Sequence, residues 1–219
     1  MKGQTMAGKA FGRACSLIAA GIAAVALTSP AAAATTGTYQ FGYENGFEGW
    51  TAKTDETAGA PDCDGRHGSS VLHSADKPHN GTKSLDFKLR SPHDCGLAYV
   101  DRKVDAGTTA PVRVTLSFWL WSPDYDGGTG GTFKVLAHAG TGCVIDPHWD
   151  DVNGGWADFV ELGSAGHAEG PGWYNYRLQA AVTPDANGQI CVSQGIKLSS
   201  TTGEDFKHYY FDDTRVTVG

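Results

Sequence analysis

Apolar and polar positions alternate in short stretches along the chain, and this period of two predicts β-strands. The clearest stretch is 112–122, where Val114, Leu116, Phe118 and Leu120 alternate with polar or indole side chains. Successive side chains of a strand point to opposite faces of its sheet. Similar patterns rich in β-branched and aromatic residues predict seven further strands: 37–43, 83–89, 96–104, 132–139, 173–182, 188–199 and 207–218.

Clusters of Gly, Pro, Asp and Asn separate these stretches, and no long helical period occurs after residue 34. About eight strands joined by turn-forming residues favour an all-β fold, an antiparallel β-sandwich. Three intervening segments, 59–81, 123–131 and 146–158, are longer than ordinary turns and are typical of functional loops. We find no internal repeat and no linker to a second domain.

The first 34 residues have a different character and predict a secretory signal peptide. A basic start precedes an apolar run over 14–27, and four alanines at 31–34 offer a cleavage site. The apolar run is shorter than the roughly 20 residues that cross a bilayer. We therefore expect a secreted, extracellular protein in which residues 35–219 form a single domain, a size typical of one domain.

The charge of the chain narrows the choice of partners. The formal net charge is −7, and loss of the basic signal peptide makes the remainder more acidic. An acidic surface argues against nucleic acid and against an anionic membrane as partners. We expect a monomer.

Four cysteines follow the signal peptide: Cys63, Cys95, Cys143 and Cys191. An even number in an exported chain predicts two disulfides, with three possible pairings. We favour Cys63–Cys95 with Cys143–Cys191, because each bond then closes one compact section. No pair has the short spacing of a zinc site.

Three segments carry a family resemblance: 43–50 (YENGFEGW), 81–87 (GTKSLDF) and 209–216 (YYFDDTRV). Their order resembles the jelly-roll carbohydrate-binding modules of the galactose-binding-like type. The resemblance implies a jelly-roll sandwich that binds a polysaccharide or oligosaccharide. It also implies a structural calcium held by Glu44, Asp212 and a backbone carbonyl near Lys83; oxygen ligands on the first and last strands would then join the two ends of the domain.

Two pairs of tryptophans are candidates for carbohydrate binding. Trp119 and Trp121 lie two residues apart on one predicted strand and therefore share a face, where indoles can stack on sugar rings. The alternative is that a loop covers this face and buries them. Trp149 and Trp156 lie in the acidic 146–158 loop, where carboxylates could accept hydrogen bonds from hydroxyl groups or hold a second calcium.

No catalytic motif stands out, so a non-catalytic binding protein is the first interpretation. The second is a polysaccharide lyase or glycosidase on the same fold, for which a groove joining His138 or His148 to Arg177, with Asn175 nearby, would be needed. The third is an extracellular adhesion domain with a protein partner.

Overall fold

The computed structural model describes residues 37–54, 69–90, 96–123, 133–143, 170–198 and 206–219, together with the backbone of 159–161. Residues from Ala33 onward cluster as one compact unit. The described part contains eleven β-strands: β1 Gly37–Phe41, β2 Thr51–Thr54, β3 Ser70–Ser74, β4 Ser84–Leu89, β5 Leu97–Asp105, β6 Val112–Ser122, β7 Phe133–Gly140, β8 Phe159–Glu161, β9 Gly172–Val182, β10 Gln189–Leu198 and β11 Lys207–Val218.

The strands form two antiparallel sheets, and the all-β sandwich predicted from the sequence is confirmed. The six-stranded sheet has the order β3-β4-β11-β6-β9, with β1 also paired to β11. The five-stranded sheet has the order β2-β5-β10-β7-β8. The eight predicted strands are present, whereas β2, β3 and β8, which have three to five residues each, were not predicted.

Strand β11 is the centre of the six-stranded sheet. One edge pairs with β6, while the other pairs first with β4 and then with β1. The register with β6 shifts between Asp212 and Arg215, and Asp213 adopts a positive φ of 49°. An extra residue of this kind forms a β-bulge, which re-aims the side chains around it.

The core lies between the sheets and follows the alternation of the strands. In β6 the side chains of Val114, Leu116, Phe118 and Leu120 are fully buried, and their neighbours point to the opposite face. Aromatic rings fill the layer, with Phe118 packed against Phe211 at a centroid distance of 5.0 Å. Burying each such side chain stabilises the fold by roughly 1.5–3 kcal/mol.

A small polar network also crosses the core. The Tyr43 hydroxyl donates to Thr214 Oγ1 at 2.7 Å, and Gln194 Nε2 donates to the Tyr43 hydroxyl at 2.9 Å. Burial raises the pKa of Tyr43, so its phenol stays protonated and able to donate. Because Gln194 belongs to β10 and Thr214 to β11, these bonds fix one sheet against the other.

The disulfide Cys143–Cys191 is present and confirms one favoured pairing. Cys63 and Cys95 lie outside the described residues, as does the predicted signal peptide 1–34. Within the ranges given above, no helix is long and apolar enough to span a membrane.

Candidate carbohydrate-binding site

The outer face of the six-stranded sheet is aromatic near the end of β6. Trp119 and Trp121 point away from the core, as their spacing predicted, and both are half-buried. In register with Trp121 stand Tyr210 of β11 and Trp173 of β9. The rings of Trp121 and Tyr210 meet edge-on at 5.7 Å. Three aromatic side chains therefore lie in one row across three adjacent strands.

The loop 75–83, between β3 and β4, folds over part of this face. The imidazole of His79 stacks on Trp119 with centroids 4.1 Å apart and an angle of 16° between the planes. The same imidazole meets Trp173 edge-on at 5.0 Å. His79 thus occupies the ring face that Trp119 would offer to a sugar, and Trp119 supports the loop.

Beside this covered part, Trp121 borders a depression of about 400 Å³, which we call the Trp121 groove. The volume lies within the range of ligand pockets, about 300–1,000 Å³. Three aromatic rings and a proline give the groove apolar walls, and charged or hydrogen-bonding side chains complete it. Its lining residues are Asp76, Lys77, Trp121, Pro123, Phe206, Lys207, His208 and Tyr210.

Cations lie against two of the aromatic rings in the groove. Lys77 Nζ is 4.2 Å from the ring centroid of Trp121. At the other end, Lys88 Nζ is 4.1 Å and Arg90 Cζ is 4.9 Å from the centroid of Phe206. All three distances fall within the roughly 6 Å of a cation–π interaction.

Below the groove, an acid and a histidine form a pair. His208 Nδ1 lies 2.9 and 3.0 Å from the two carboxylate oxygens of Asp86. Burial raises the pKa of Asp86, and its bond to His208 opposes that shift. Burial, together with the nearby Asp86 and Asp76, raises the pKa of Tyr210 to about 12, so its phenol is neutral at physiological pH.

The residues expected to hold calcium anchor the 75–83 loop. Glu44 Oε1 accepts hydrogen bonds from the backbone N–H groups of Thr82 at 2.8 Å and Lys83 at 3.1 Å, and Oε2 accepts from the Thr82 hydroxyl. These bonds lower the pKa of Glu44. The resemblance implied a backbone carbonyl near Lys83 as a calcium ligand. At Lys83 itself, the backbone group that faces Glu44 is the N–H, which is a hydrogen-bond donor.

Asp212 holds the middle of the loop in the same way. Its Oδ2 accepts from the N–H groups of His79 at 2.8 Å and Asn80 at 3.2 Å, and its Oδ1 accepts from the N–H of Asp213. Burial nevertheless raises the pKa of Asp212 to about 6. Asp213 Oδ2, re-aimed by the bulge, lies 2.6 Å from His79 Nδ1.

Glu44 and Asp212 are the two carboxylates expected to bind calcium, which takes six to eight oxygen ligands, backbone carbonyls among them. In the described structure each carboxylate accepts three hydrogen bonds. Over the described ranges, neither belongs to a cluster of three His, Cys, Asp or Glu side chains. The calcium site remains a prediction of the resemblance.

A buried polar cluster lies on the five-stranded sheet, on the face opposite the core. Asp101, Ser193 and His138 are in register on β5, β10 and β7, and all three are buried. Lys53 Nζ lies 2.7 Å from Asp101 Oδ2 and donates to the carbonyl of Cys143 at 3.0 Å. Burial, aided by the positive charge of Lys134, lowers the pKa of His138 to about 4.

The arrangement considered for an enzyme is not formed by the described residues. His138 lies on the five-stranded sheet, whereas Asn175 and Arg177 pair with Trp119 and Ser117 on the six-stranded sheet. His148 lies outside the described residues, as do Trp149 and Trp156 of the predicted loop site.

Sequence reasoning placed Trp121 correctly on an outer face but missed its neighbours in the groove. The alternation of β11 could have placed Tyr210 and His208 on one face, opposite Tyr209. No local pattern indicates that Lys77 and His79 lie over the tryptophans, because that loop is held by carboxylates distant in sequence.

Comparison with known proteins identifies the fold. No family model matches the chain, and no curated protein matches it. Among solved structures, the CBM22-1 xylan-binding domain of Paenibacillus barcinonensis Xyn10C is 15% identical, with a TM-score of 0.50 over 85% of this chain and 97% of that one. The CBM22-1-CBM22-2 tandem domain of the same protein is 17% identical, with a TM-score of 0.50 over 83% of this chain and 50% of that one.

TmCBM61 in complex with β-1,4-galactotriose is 15% identical and has a TM-score of 0.45, over 80% of this chain and 92% of that one. At these identities the similarity concerns the fold. The fold is the jelly-roll β-sandwich found among carbohydrate-binding modules, as the resemblance of the sequence motifs implied.

Proposed function

We propose that this protein binds a polysaccharide or oligosaccharide, and that it does so in the Trp121 groove. The observation that supports this most directly is the combination of Trp121, Phe206 and Tyr210 as walls of one open depression of about 400 Å³. Sugar rings present flat C–H faces and a periphery of hydroxyl groups. A site for them therefore combines aromatic surface with polar groups at its border.

The groove supplies polar groups of both kinds. The exposed carboxylate of Asp76 accepts hydrogen bonds, while the ammonium of Lys77 donates them. Trp121 and Tyr210 belong to the paired strands β6 and β11 of the six-stranded sheet, so both are held in place before a ligand binds. A preorganised surface loses less conformational entropy on binding than a flexible loop.

We further propose that residues 1–34 direct export, which suits a protein that meets polysaccharides outside the cell. N-terminal sequencing of protein recovered from culture medium tests this, with a mature start close to Thr35 expected. Recovery of full-length protein inside the cell alone would contradict it.

Binding is tested by a glycan-array screen of the mature protein, followed by calorimetry on each glycan that it retains. Trp121→Ala should weaken binding about tenfold or more, because a stacked aromatic contributes about 1 kcal/mol beyond its buried area. The matched control is Trp173→Ala, which removes the same side chain from the same row outside the groove.

Thermal melting of both variants must accompany the affinities, because truncating a packed tryptophan can cost about 3–5 kcal/mol of stability. The proposal is wrong if the folded wild-type protein retains no glycan. If folded Trp121→Ala binds a glycan as tightly as the wild type does, the placement of the binding site in the Trp121 groove is wrong.

A further inference from the structure

The aromatic walls of the Trp121 groove are already in contact with cations. Lys77 lies over Trp121, and Lys88 and Arg90 lie over Phe206, at 4.2, 4.1 and 4.9 Å from the ring centroids. A neutral sugar that stacked on these ring faces would have to displace the ammonium or guanidinium groups. Each displacement would lose the attraction between the cation and the ring.

Among the described residues, basic side chains outnumber acidic ones at the Trp121 groove. Four basic side chains, Lys77, Lys88, Arg90 and Lys207, line or border it, whereas the chain as a whole carries a net charge of −7. The carboxylates near it in the described ranges are Asp76 and Asp86, and Asp86 is engaged by His208. The local excess of positive charge favours an anionic ligand.

Lys77 and Lys88 are the cations best placed to meet such a ligand. Both side chains are half-buried, and each ammonium lies against a ring. Among the described residues, no carboxylate lies within ion-pair distance of either nitrogen. A cation in this state gains more from an anionic oxygen than a fully hydrated lysine does, because less solvent must be removed.

We propose that the Trp121 groove recognises an anionic sugar residue, whose carboxylate or sulfate oxygens pair with Lys77 and Lys88. This inference rests on the proposed carbohydrate-binding function and names its substrate class. The carboxylate would belong to a uronic acid, and the sulfate to a sulfated sugar. In either case Lys77 and Lys88 would move from the ring faces to pair with the charge, and the exposed ring faces would then contact the sugar ring.

The test compares polymers that differ in charge alone. Calorimetry measures binding of the mature protein to a polyuronate and to the same polymer after its carboxyl groups have been reduced to alcohols. A sulfated galactan and its desulfated form make the second pair. We expect at least one charged polymer to bind at least tenfold more tightly than its neutral partner, and the pair that responds identifies the source of the anion. Raising the salt concentration should weaken that binding.

Two variants connect the charge preference to the groove. Lys77→Gln and Lys88→Gln should each weaken binding of the preferred acidic polymer about fivefold, as loss of one partly exposed charged contact implies. Lys103→Gln is the matched control, because it removes the same charge from an exposed position on the other sheet. Melting curves establish that all three variants are folded.

The outcomes separate this inference from the function on which it rests. Equal binding of charged and neutral polymers would overturn the anionic preference and leave carbohydrate binding intact. Unchanged affinity of folded Lys77→Gln and Lys88→Gln would overturn the placement of the anion. Failure to bind any polymer, neutral or charged, would overturn the proposed function itself.

Discussion

His138 provides the sharpest prediction about stability, because it is a buried histidine whose charged form the fold disfavours. Its exposed fraction is 6%, and burial lowers its pKa from 6.5 to about 4. As the pH falls, the unfolded chain therefore binds a proton at His138 at a higher pH than the folded chain does. Because the pKa of His138 is lower in the folded chain, acid stabilises the unfolded state. The resulting loss of unfolding free energy, the penalty, grows as the pH falls from about 6.5 towards 4.

The size of the effect follows from the two pKa values. Each tenfold difference in proton affinity is worth about 1.4 kcal/mol, so the full penalty below pH 4 is about 3.4 kcal/mol. At pH 7.5 the penalty is close to zero, and at pH 4.5 it is about 2.5 kcal/mol. Asp212 acts in the opposite direction: burial raises its pKa to about 6, so acid favours its folded form. The contribution of His138 must be isolated by substitution.

Urea denaturation at a series of pH values makes the measurement. His138→Asn and His138→Leu cannot titrate, so the difference in unfolding free energy between wild type and each variant should change by about 2.5 kcal/mol from pH 7.5 to 4.5. The two variants differ in polarity and will differ in absolute stability, but they should share the same pH dependence. Parallel curves for wild type and both variants would refute the reasoning.

Two further predictions concern the disulfide and the expected calcium. Replacing both Cys143 and Cys191 by alanine should lower the unfolding free energy by about 4 kcal/mol, since the bond links residues 48 apart; an unchanged denaturation midpoint in the double variant would contradict this. If the calcium ion implied by the resemblance joins Glu44 and Asp212, a chelator should lower the melting temperature, because a ligand bound only by the folded state stabilises it, and Asp212→Ala should abolish that response. An unchanged melting curve in chelator would count against the site.

The sequence predicted the features that depend on local alternation. In β6 the pattern identified both the buried side chains and the outward direction of Trp119 and Trp121. The pairing Cys143–Cys191 followed from keeping each disulfide within one compact section of the chain. These features are encoded in neighbouring positions, and a period of two is sufficient to recover them.

The groove could not be predicted in the same way, because its shape depends on contacts between distant parts of the chain. Glu44 lies 38 residues before Thr82, and Asp212 lies 133 residues after His79. Together these two carboxylates hold the 75–83 loop, which carries Lys77 to Trp121. Nothing in the local sequence of the loop distinguishes this position from an exposed one.

The central place of β11 has a consequence for the order in which the molecule can assemble during synthesis. Of the eleven strands described, β11 leaves the ribosome last, yet β4, β6 and β1 all pair with it. Until β11 emerges, the pair β3–β4 and the pair β6–β9 have no strand to join them, and β1 has no partner in the sheet. The six-stranded sheet, and with it the packing of the two sheets around the core, can therefore be completed only after the last described strand has been synthesised.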